Sequence, residues 1–370
     1  MVGSEQRSRS FKGREVRVLH LGLNIASAMS TAITLLRAIG VECRGIVRYS
    51  HHYTSDGELQ CLPGWISRRQ PLDWAKAEAQ RYTSVLSAIA WADVVHWHFG
   101  ITLLPRALDV TWASMLGKPG LVEFSGSDIR VAEVEKRDNP YFTRFAPEDY
   151  CKELTRDRSL RVQALFSKAG LACLTYTQIL PYVERDLFQN CYLVRQRIPL
   201  HKFSPRFPNP SNQVPVIVHA PSRLDLKGTR FVLAAIDELR PKLQFDFRLV
   251  NDVPHEAALS QIACCDIFVD QLIGGDHGTA AVEAMAFGKP VVCYIKPSML
   301  EQHAKDLPIV NANPDNFVEV LKRLMQDGAG RREIGERSRS YVEKYHSPRL
   351  LADQLVEIYQ DIAVRRGMAL

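Results

Sequence analysis

Short apolar runs alternate with longer amphipathic patterns along this chain. In the first part, these patterns predict strands over 16–21, 41–47, 93–96, 121–124 and 171–176, and helices over 27–39 and 75–90. After residue 214 the rhythm restarts, with strands predicted over 214–220, 245–250, 266–270 and 291–295, and helices over 228–240, 254–264, 279–287, 315–326, 331–345 and 348–366. Alternating elements of these lengths indicate βαβ units, so we predict an α/β fold of parallel sheets that are buried on both faces.

Proline, asparagine and serine are concentrated in the segment 200–214, which is a composition typical of a linker. We therefore expect two Rossmann-like, doubly wound domains that face a cleft, where open α/β sheets bind ligands. The stretch 48–73 has no clear period and predicts a long functional loop. The predicted divisions are a flexible basic tail (1–14), an N-terminal domain (15–205), a C-terminal domain (206–347) and a final helical segment (348–370).

Composition excludes several classes of protein. The 370 residues are 46% hydrophobic and 24% charged, as in a globular protein with enough apolar material for two cores. The net charge of +6 is scattered, which permits an anionic ligand or contact with a membrane surface but does not predict binding to nucleic acid. No apolar run approaches the ~18 residues of a membrane span, and the polar N-terminus lacks the apolar region of a signal peptide.

The eight cysteines include no C-x-x-C pair, which is typical of reduced thiols in a cytosolic protein. We therefore expect a cytoplasmic protein, and the positive charge is compatible with peripheral contact at the inner face of the membrane.

The segment HAPSRLDLKGT (219–229) carries two cations in a loop between a strand and a helix. Arg223 and Lys227 flank the turn before Gly228. An arginine grips phosphate oxygens bidentately, a lysine adds a point charge, and free helical N–H groups complete a diphosphate site. Taken alone, an R-x-x-x-K pair is also compatible with two solvated surface charges.

A second segment, GGDHGTAAVEAMAFGKP (274–290), has a glycine-rich entry and a helix that starts at Thr279. Because Gly278 has no side chain, the backbone N–H groups at 278–280 can approach phosphates closely. Glu283 lies one turn into the helix, where its carboxylate can accept hydrogen bonds from two vicinal hydroxyls such as those of a ribose. The two segments together favour a nucleotide site over two unrelated surface features.

HAPSRLDLKGT and VDQLIGGDHGTAAVEAMAFGKPVV resemble the donor-nucleotide half of GT-B glycosyltransferases, specifically the retaining family 4. The resemblance covers the chain from Val16 to its end and is strongest over 215–295. It implies that Arg223 and Lys227 bind the diphosphate of a sugar nucleotide and that Glu283 binds the ribose. It also implies that the helix 348–366 crosses back to the first domain. The loop 251–255 is either beside the base or an ordinary βα loop.

One position departs from the family pattern. The family usually has a glutamate eight residues before Glu283, in contact with the donor sugar, and here that position is Gly275. We expect the backbone N–H groups at 275–278 to contact the sugar, with Asp276 as a helper. Asp270, at the end of the preceding strand, is the alternative carboxylate.

Two loops of the N-terminal half carry weaker signals. In GLNIASAMSTA (22–32), Asn24 is a candidate contact of the donor. EFSGSDIR (123–130) resembles the family loop that holds a cleft residue, often a histidine, where this chain has Ser125. Asp128 is therefore a candidate catalytic residue, although it is equally compatible with a helix cap.

The strand ADVVHWHFG (92–100) places His96 and His98 on one face, because side chains alternate along a strand. They line the acceptor site or form a metal pair, although no third ligand is in evident register. No D-x-D motif occurs in the sequence, and we predict no metal site and no cofactor.

The resemblance implies transfer of a sugar from a nucleoside-diphosphate sugar to an acceptor hydroxyl, without a metal and with retention at the sugar. Arg223 and Lys227 would stabilise the charge of the leaving diphosphate. A glycan or lipid-linked glycan of a bacterial envelope is the expected acceptor. Two alternatives stay open: a nucleotide-sugar epimerase of the same fold, and a non-catalytic partner subunit that resembles a glycosyltransferase.

Overall fold

The chain folds into two parallel β-sheets, each with helices on both faces. The computed structural model describes residues 16–49, 59–64, 66–67 and 69–368. The predicted basic tail (1–14) and much of the predicted loop (48–73) lie outside the described residues. The observed architecture confirms the predicted α/β class with two doubly wound halves.

In each sheet, the strand order reverses near the middle of the sheet. The strands are β1 (Arg17–Gly22), β2 (Glu42–Val47), β3 (Gln60–Cys61), β4 (Val94–His98), β5 (Gly120–Phe124), β6 (Ala172–Thr175), β7 (Cys191–Leu193), β8 (Val216–His219), β9 (Asp246–Leu249), β10 (Ile267–Val269), β11 (Val291–Cys293) and β12 (Val310–Asn311). The N-terminal sheet has the order β3-β2-β1-β4-β5-β6-β7 and the C-terminal sheet β12-β11-β10-β8-β9, with all pairs parallel. Ligands bind at such switch points, which lie between β1 and β4 and between β8 and β10.

Fifteen helices of the described part of the chain connect and cover the strands. They are α1 (Ala28–Arg37), α2 (Pro71–Trp91), α3 (Leu108–Met115), α4 (Ala132–Asp138), α5 (Pro140–Phe145), α6 (Glu148–Glu153), α7 (Arg156–Ser167), α8 (Leu224–Lys227), α9 (Thr229–Leu239), α10 (His255–Ala263), α11 (Thr279–Ala286), α12 (Pro297–Leu300), α13 (Phe317–Gln326), α14 (Gly328–Tyr345) and α15 (Pro348–Arg365). Gly228 separates α8 from α9 because its φ of +74° is left-handed, a conformation that glycine adopts without strain. Among the described residues, no helix combines the length and apolar character needed to cross a bilayer.

The start of the predicted linker belongs to the second core. Ile198, Leu200 and Phe203 are buried and pack with residues of β8, β10 and α11. These residues precede the boundary predicted at 206. We refer to residues 16–197 as the N-terminal half and to residues 198–347 as the C-terminal half.

The last helix crosses back to the N-terminal half, as predicted. Leu355, Ile358, Tyr359 and Ile362 of α15 are buried in the same core as β1, β4 and β5. Leu350, near the start of α15, lies outside this buried face and is half exposed.

Candidate active site

The switch point between β8 and β10 is fixed by a buried histidine. His219 ends β8, and its Nδ1–H donates to the carbonyl oxygen of Val269 at 2.9 Å, at the end of β10. Its Nε2 therefore accepts from the hydroxyl of Thr229, also at 2.9 Å. Burial lowers the pKa of His219 to about 4, so the ring is neutral. This neutral imidazole ties the two strand ends to the start of α9.

A lysine and a buried aspartate meet beside the N-terminus of α11. Lys227 Nζ lies 2.7 Å from Asp270 Oδ1, and the amide of Gly278 donates to Asp270 Oδ2 at 2.9 Å. Burial opposes ionisation of Asp270, but Lys227 and the Gly278 amide outweigh it and hold the pKa of the carboxyl below its usual range. A Cβ on residue 278 would lie only 3.4 Å from Lys227 Nζ. Asp270 therefore anchors the lysine where free helical N–H groups also point.

Lys227, Gly278 and Thr279 line a cleft of about 360 Å³ together with Glu283. The rest of the lining is largely apolar and includes Val250, Val253, Ala258, Leu259 and Ile262. Ile25 and Ala26 of the N-terminal half belong to the lining as well. A largely apolar cleft that also presents a carboxylate and an ammonium can hold a planar ring, hydroxyls and an anionic group at once.

Glu283 is buried and shares a hydrogen bond with His255. His255 Nε2 lies 2.9 Å from Glu283 Oε1. The hydrogen bond to Glu283 outweighs desolvation and raises the pKa of His255. The sequence placed His255 only in the loop 251–255, whose role it left open. In the structure, His255 lines the cleft and orients the carboxylate of Glu283.

Asn24 supports the loop that lines the cleft. Its Oδ1 accepts from the amides of Met29 and Ser30, both at 3.1 Å, at the start of α1. Ala26, between Asn24 and α1, has a left-handed φ of 48° and lines the cleft. Strained backbone of this kind persists only when its surroundings hold it in place. Asn24 therefore positions the loop, and its role as a donor contact stays a prediction.

The two halves are joined across a second cavity of about 190 Å³. Lys296 Nζ of the C-terminal half lies 2.8 Å from Asp138 Oδ1 and 3.4 Å from Glu135 Oε2 of α4. Asn139 Nδ2 donates to the carbonyl oxygen of Ile273 at 3.0 Å. Lys227 lines this cavity as well as the first. The sequence did not point to Lys296 or Glu135, because the pair is separated by 161 positions.

Residue 275, where the family usually has a glutamate, lies beside Asn139 and Lys296, which join the two halves. Gly275 has a φ of +79°, and a Cβ there would lie 2.8 Å from Asn139 Nδ2 and 3.0 Å from Lys296 Cδ. A larger residue would meet both strain and a clash. The side chains of Lys296 and Asn139 thus occupy the space around residue 275.

Asp276 adjoins Gly275 and also lines the cavity between the halves. Its Oδ1 lies 2.7 Å from His303 Nε2 and accepts from the amide of His277 at 2.8 Å. One carboxylate oxygen therefore already has partners within the C-terminal half.

Arg223 stands apart from the Lys227 cluster. Its side chain is 50% exposed and its Nη2 lies 2.7 Å from Asp225 Oδ2. Its guanidinium lies 5.0 Å from the ring centre of Tyr150. The structure thus brings Lys227, Gly278, Thr279 and Glu283 around one cleft, and it turns Arg223 towards the surface.

Asp128 faces its own loop. Its carboxylate accepts from the amide of Gly126 at 2.7 Å and from that of Ser125 at 3.0 Å. Burial raises the pKa of Asp128 to about 6 against these hydrogen bonds. Both carboxylate oxygens thus close the turn that precedes Asp128. Asp128 is not a helix cap, because the N-cap of α4 is Val131, and its role as a catalytic residue stays a prediction.

The histidines of β4 form a buried cluster with a third one. His20 of β1 is paired with His96 in the sheet, and its Nδ1 lies 2.9 Å from His98 Nε2. Glu123 Oε2 lies 3.1 Å from His96 Nε2, and Arg197 donates to both oxygens of Glu123 at 2.6 and 2.7 Å. Both side chains are buried, and their role in an acceptor site stays a prediction. The third histidine, for which the sequence showed no evident register, is His20 on the neighbouring strand β1.

Comparison with known proteins supports a glycosyltransferase. Residues 242–341 match the family model described as "Glycosyl transferases group 1". The matched stretch runs from just before β9 into α14, and it contains α11 with Glu283. The C-terminal half is therefore similar to this family over the matched residues.

The fold is shared with solved glycosyltransferases over almost the whole chain. Sucrose-phosphate synthase of Thermosynechococcus elongatus is 15% identical with a TM-score of 0.64, over 95% of this chain and 100% of that one. WaaG, a glycosyltransferase involved in lipopolysaccharide biosynthesis, is 15% identical with a TM-score of 0.57, over 93% and 99%. HepE of Anabaena, in complex with UDP and glucose, is 12% identical with a TM-score of 0.59, over 94% and 100%. The chain thus has the GT-B fold.

Proposed function

We propose that this protein transfers a sugar from a nucleoside-diphosphate sugar to an acceptor hydroxyl. The observation that carries the proposal is the cleft in which Lys227, the N-terminus of α11 and the Glu283–His255 pair surround an apolar slot. The slot accommodates the base, Glu283 accepts from the ribose hydroxyls, and Lys227 with the amides at 279 and 280 binds the diphosphate. The amide of Gly278, which the sequence also indicated, donates to Asp270 instead. HepE, which shares the fold, binds UDP-glucose.

In this proposal the protein stabilises the departing diphosphate with fixed charges. Lys227 is already positioned by Asp270, so little reorganisation is needed as negative charge develops on the leaving group. The second cavity, which Lys227 also lines, lies next to that position and accommodates the donor sugar. Transfer proceeds with retention, and the leaving diphosphate accepts the proton of the acceptor on the same face, without a metal at the phosphate.

We assign donor binding to the C-terminal domain (206–347) and acceptor binding to the N-terminal domain (15–205), with α15 joining them. The acceptor is a glycan or a lipid-linked glycan. The solved relatives support this class, since WaaG is involved in lipopolysaccharide biosynthesis. The net charge of +6 is compatible with peripheral contact with a membrane that carries such an acceptor.

A ligand-detected NMR screen of UDP-, GDP-, dTDP- and ADP-sugars tests the proposal. We expect one nucleotide class to bind and Glu283→Gln to weaken its binding, whereas Glu301→Gln, a matched exchange at an exposed position, has no effect. If none binds, the protein is a non-catalytic partner. If an epimerised sugar and free diphosphate appear without an acceptor, it is an epimerase.

A further inference from the structure

A carboxylate and two histidines meet where the loop before α11 borders the cavity between the halves. Asp276, His277 and His303 each offer one ligand atom, and these atoms all lie within 4.8 Å of one another. The rings of His277 and His303 have centres 5.0 Å apart. Asp276 and His277 also line the cavity. Three side chains of metal-binding type thus converge beside a space open to a ligand.

Two of these three residues carry a buried atom without a partner, and so does His346. Among the described residues, Asp276 Oδ2, His277 Nδ1 and His346 Nε2 are buried and have no hydrogen bond. Their residues are 6%, 2% and 1% exposed. An orphaned buried polar atom is costly and calls for an explanation, such as an ion or a water that supplies the missing partner.

His346 is prepared to act as a metal ligand. Its Nδ1 lies 2.9 Å from the carbonyl oxygen of Gln196. Because a carbonyl oxygen only accepts, Nδ1 carries the proton and Nε2 presents a free lone pair. Metal-binding histidines commonly donate their other ring N–H to a backbone carbonyl in this way. Burial lowers the pKa of His346 to about 3, so the ring has the neutral form that binds metals.

We propose that Asp276, His277 and His303 bind a divalent transition-metal ion of the zinc class, with the unpartnered Nε2 of His346 as a candidate for a further ligand. Two or three imidazoles with one carboxylate suit Zn²⁺, which prefers four ligands in a tetrahedron. In such a site neighbouring ligand atoms are about 3.3 Å apart. The ion would replace the hydrogen bond between His303 Nε2 and Asp276 Oδ1, and both atoms would then face the metal.

The other histidine cluster is a weaker candidate for a cation. In that cluster, His20, His96 and His98 are also within 4.8 Å, but Arg197 donates to the single carboxylate, Glu123. The guanidinium neutralises the charge that would attract a metal. Around Asp276, the carboxylate instead keeps one oxygen without a partner.

A bound ion would join three separate segments. The loop 274–278 would be tied to His303, which follows α12, and to His346, which follows α14. The ion is thus a positioning element for the loop that enters α11. The sequence predicted no metal site, because only Asp276 and His277 are neighbours along the chain. The proposal does not rest on the proposed function, since metal binding is measured without a nucleotide sugar.

The test uses the full chain, stripped with a chelator and titrated with Zn²⁺ alone. We expect one equivalent to bind, Co²⁺ to give the visible bands of a tetrahedral site, and Zn²⁺ to raise the Tm. Asp276→Asn and His303→Gln should each weaken binding at least tenfold, while circular dichroism confirms that both variants are folded. His201→Gln, a matched exchange at an exposed histidine, should bind as the wild type does.

Three outcomes would overturn the proposal. The first is a wild-type chain that binds no stoichiometric Zn²⁺. The second is stoichiometric binding that survives in both Asp276→Asn and His303→Gln. The third is binding that is lost in His98→Gln and kept in His303→Gln, because the ion would then lie in the other histidine cluster.

Discussion

Replacing Lys227 with methionine removes the charge at the centre of the candidate site and keeps the aliphatic stem. Two effects follow, and the structure separates them. The first is loss of the ammonium that would neutralise the leaving diphosphate. The second is that Asp270, only 3% exposed, loses its ion-pair partner at 2.7 Å. Its carboxylate would keep the amide of Gly278 at 2.9 Å.

The two effects have different magnitudes. Loss of a fixed donor to a developing anion lowers kcat/KM by ~10²–10³-fold, which corresponds to about 3–4 kcal/mol. An unpaired buried carboxylate destabilises the fold by about 1–3 kcal/mol. Replacing Asp270 with asparagine in the same chain removes the unpaired charge. The double variant, Lys227→Met with Asp270→Asn, should therefore regain stability but not activity.

The assay follows release of the nucleoside diphosphate from the donor that the NMR screen selects, and urea unfolding reports stability. Arg223→Met is the comparison, since its half-exposed ion pair with Asp225 contributes about 0–1 kcal/mol to stability. The family resemblance predicts that Arg223→Met also lowers activity by ~10²–10³-fold. The turnover of this variant therefore tests whether Arg223 binds the diphosphate. Near-normal turnover in Lys227→Met, or recovery of turnover in the double variant, would refute the assignment of Lys227.

Three further predictions concern other parts of the molecule. Gly275→Glu should not raise turnover and should destabilise the fold by about 1–3 kcal/mol, because backbone strain and a side-chain clash combine at this position. The control is Gly40→Glu, since Gly40 has a φ of +87° with open space around it and therefore reports the backbone strain alone. A gain in turnover in Gly275→Glu would contradict the prediction. Deleting α15 from Pro348 exposes a buried apolar face and should cause aggregation or loss of activity with secondary structure retained; a fully active, monodisperse truncation would make the helix dispensable. Because the pKa of His255 is raised above 6.5, its pair with Glu283 stabilises the fold fully below pH 6.5 and less as pH rises through the folded-state pKa. The stability advantage of the wild type over His255→Asn, from urea unfolding across pH, should shrink in that direction, and an advantage that grows would show the opposite linkage.

The buried strands and the edge strand β9 could be predicted from the sequence, whereas the shorter edge strands β3, β7 and β12 could not. Central strands such as β10 and β11 are continuous apolar runs, because helices cover both faces of a parallel sheet. β3 and β12 have two residues each, too few for any period. The helices α4 to α7 were not predicted, since three of them have six or seven residues and carry little periodic signal.

The local parts of the candidate site were also predictable, and the parts between distant segments were not. Lys227, Gly278 and Glu283 follow strands of one sheet, and strand ends of a parallel sheet share one edge. The third histidine, His20, becomes visible only once β1 and β4 are known to be neighbours. The bridge from Lys296 to Glu135 joins two halves, and no pattern in a single sequence pairs a lone lysine with a lone glutamate 161 positions away.

That bridge gives the departure at Gly275 a physical reason. A glutamate there would reach into the cavity from the C-terminal half, but Asn139 and Lys296 fill the space that its Cβ needs. The cavity nevertheless contains a carboxylate, Glu135, which comes from the N-terminal half and is held by Lys296. A carboxylate supplied by the opposite half enters the cavity only when the halves are together, whereas one at residue 275 would be present in any arrangement. If the cavity binds the donor sugar as proposed, contact with the sugar and closure of the cleft are therefore coupled in this protein through the same ion pair.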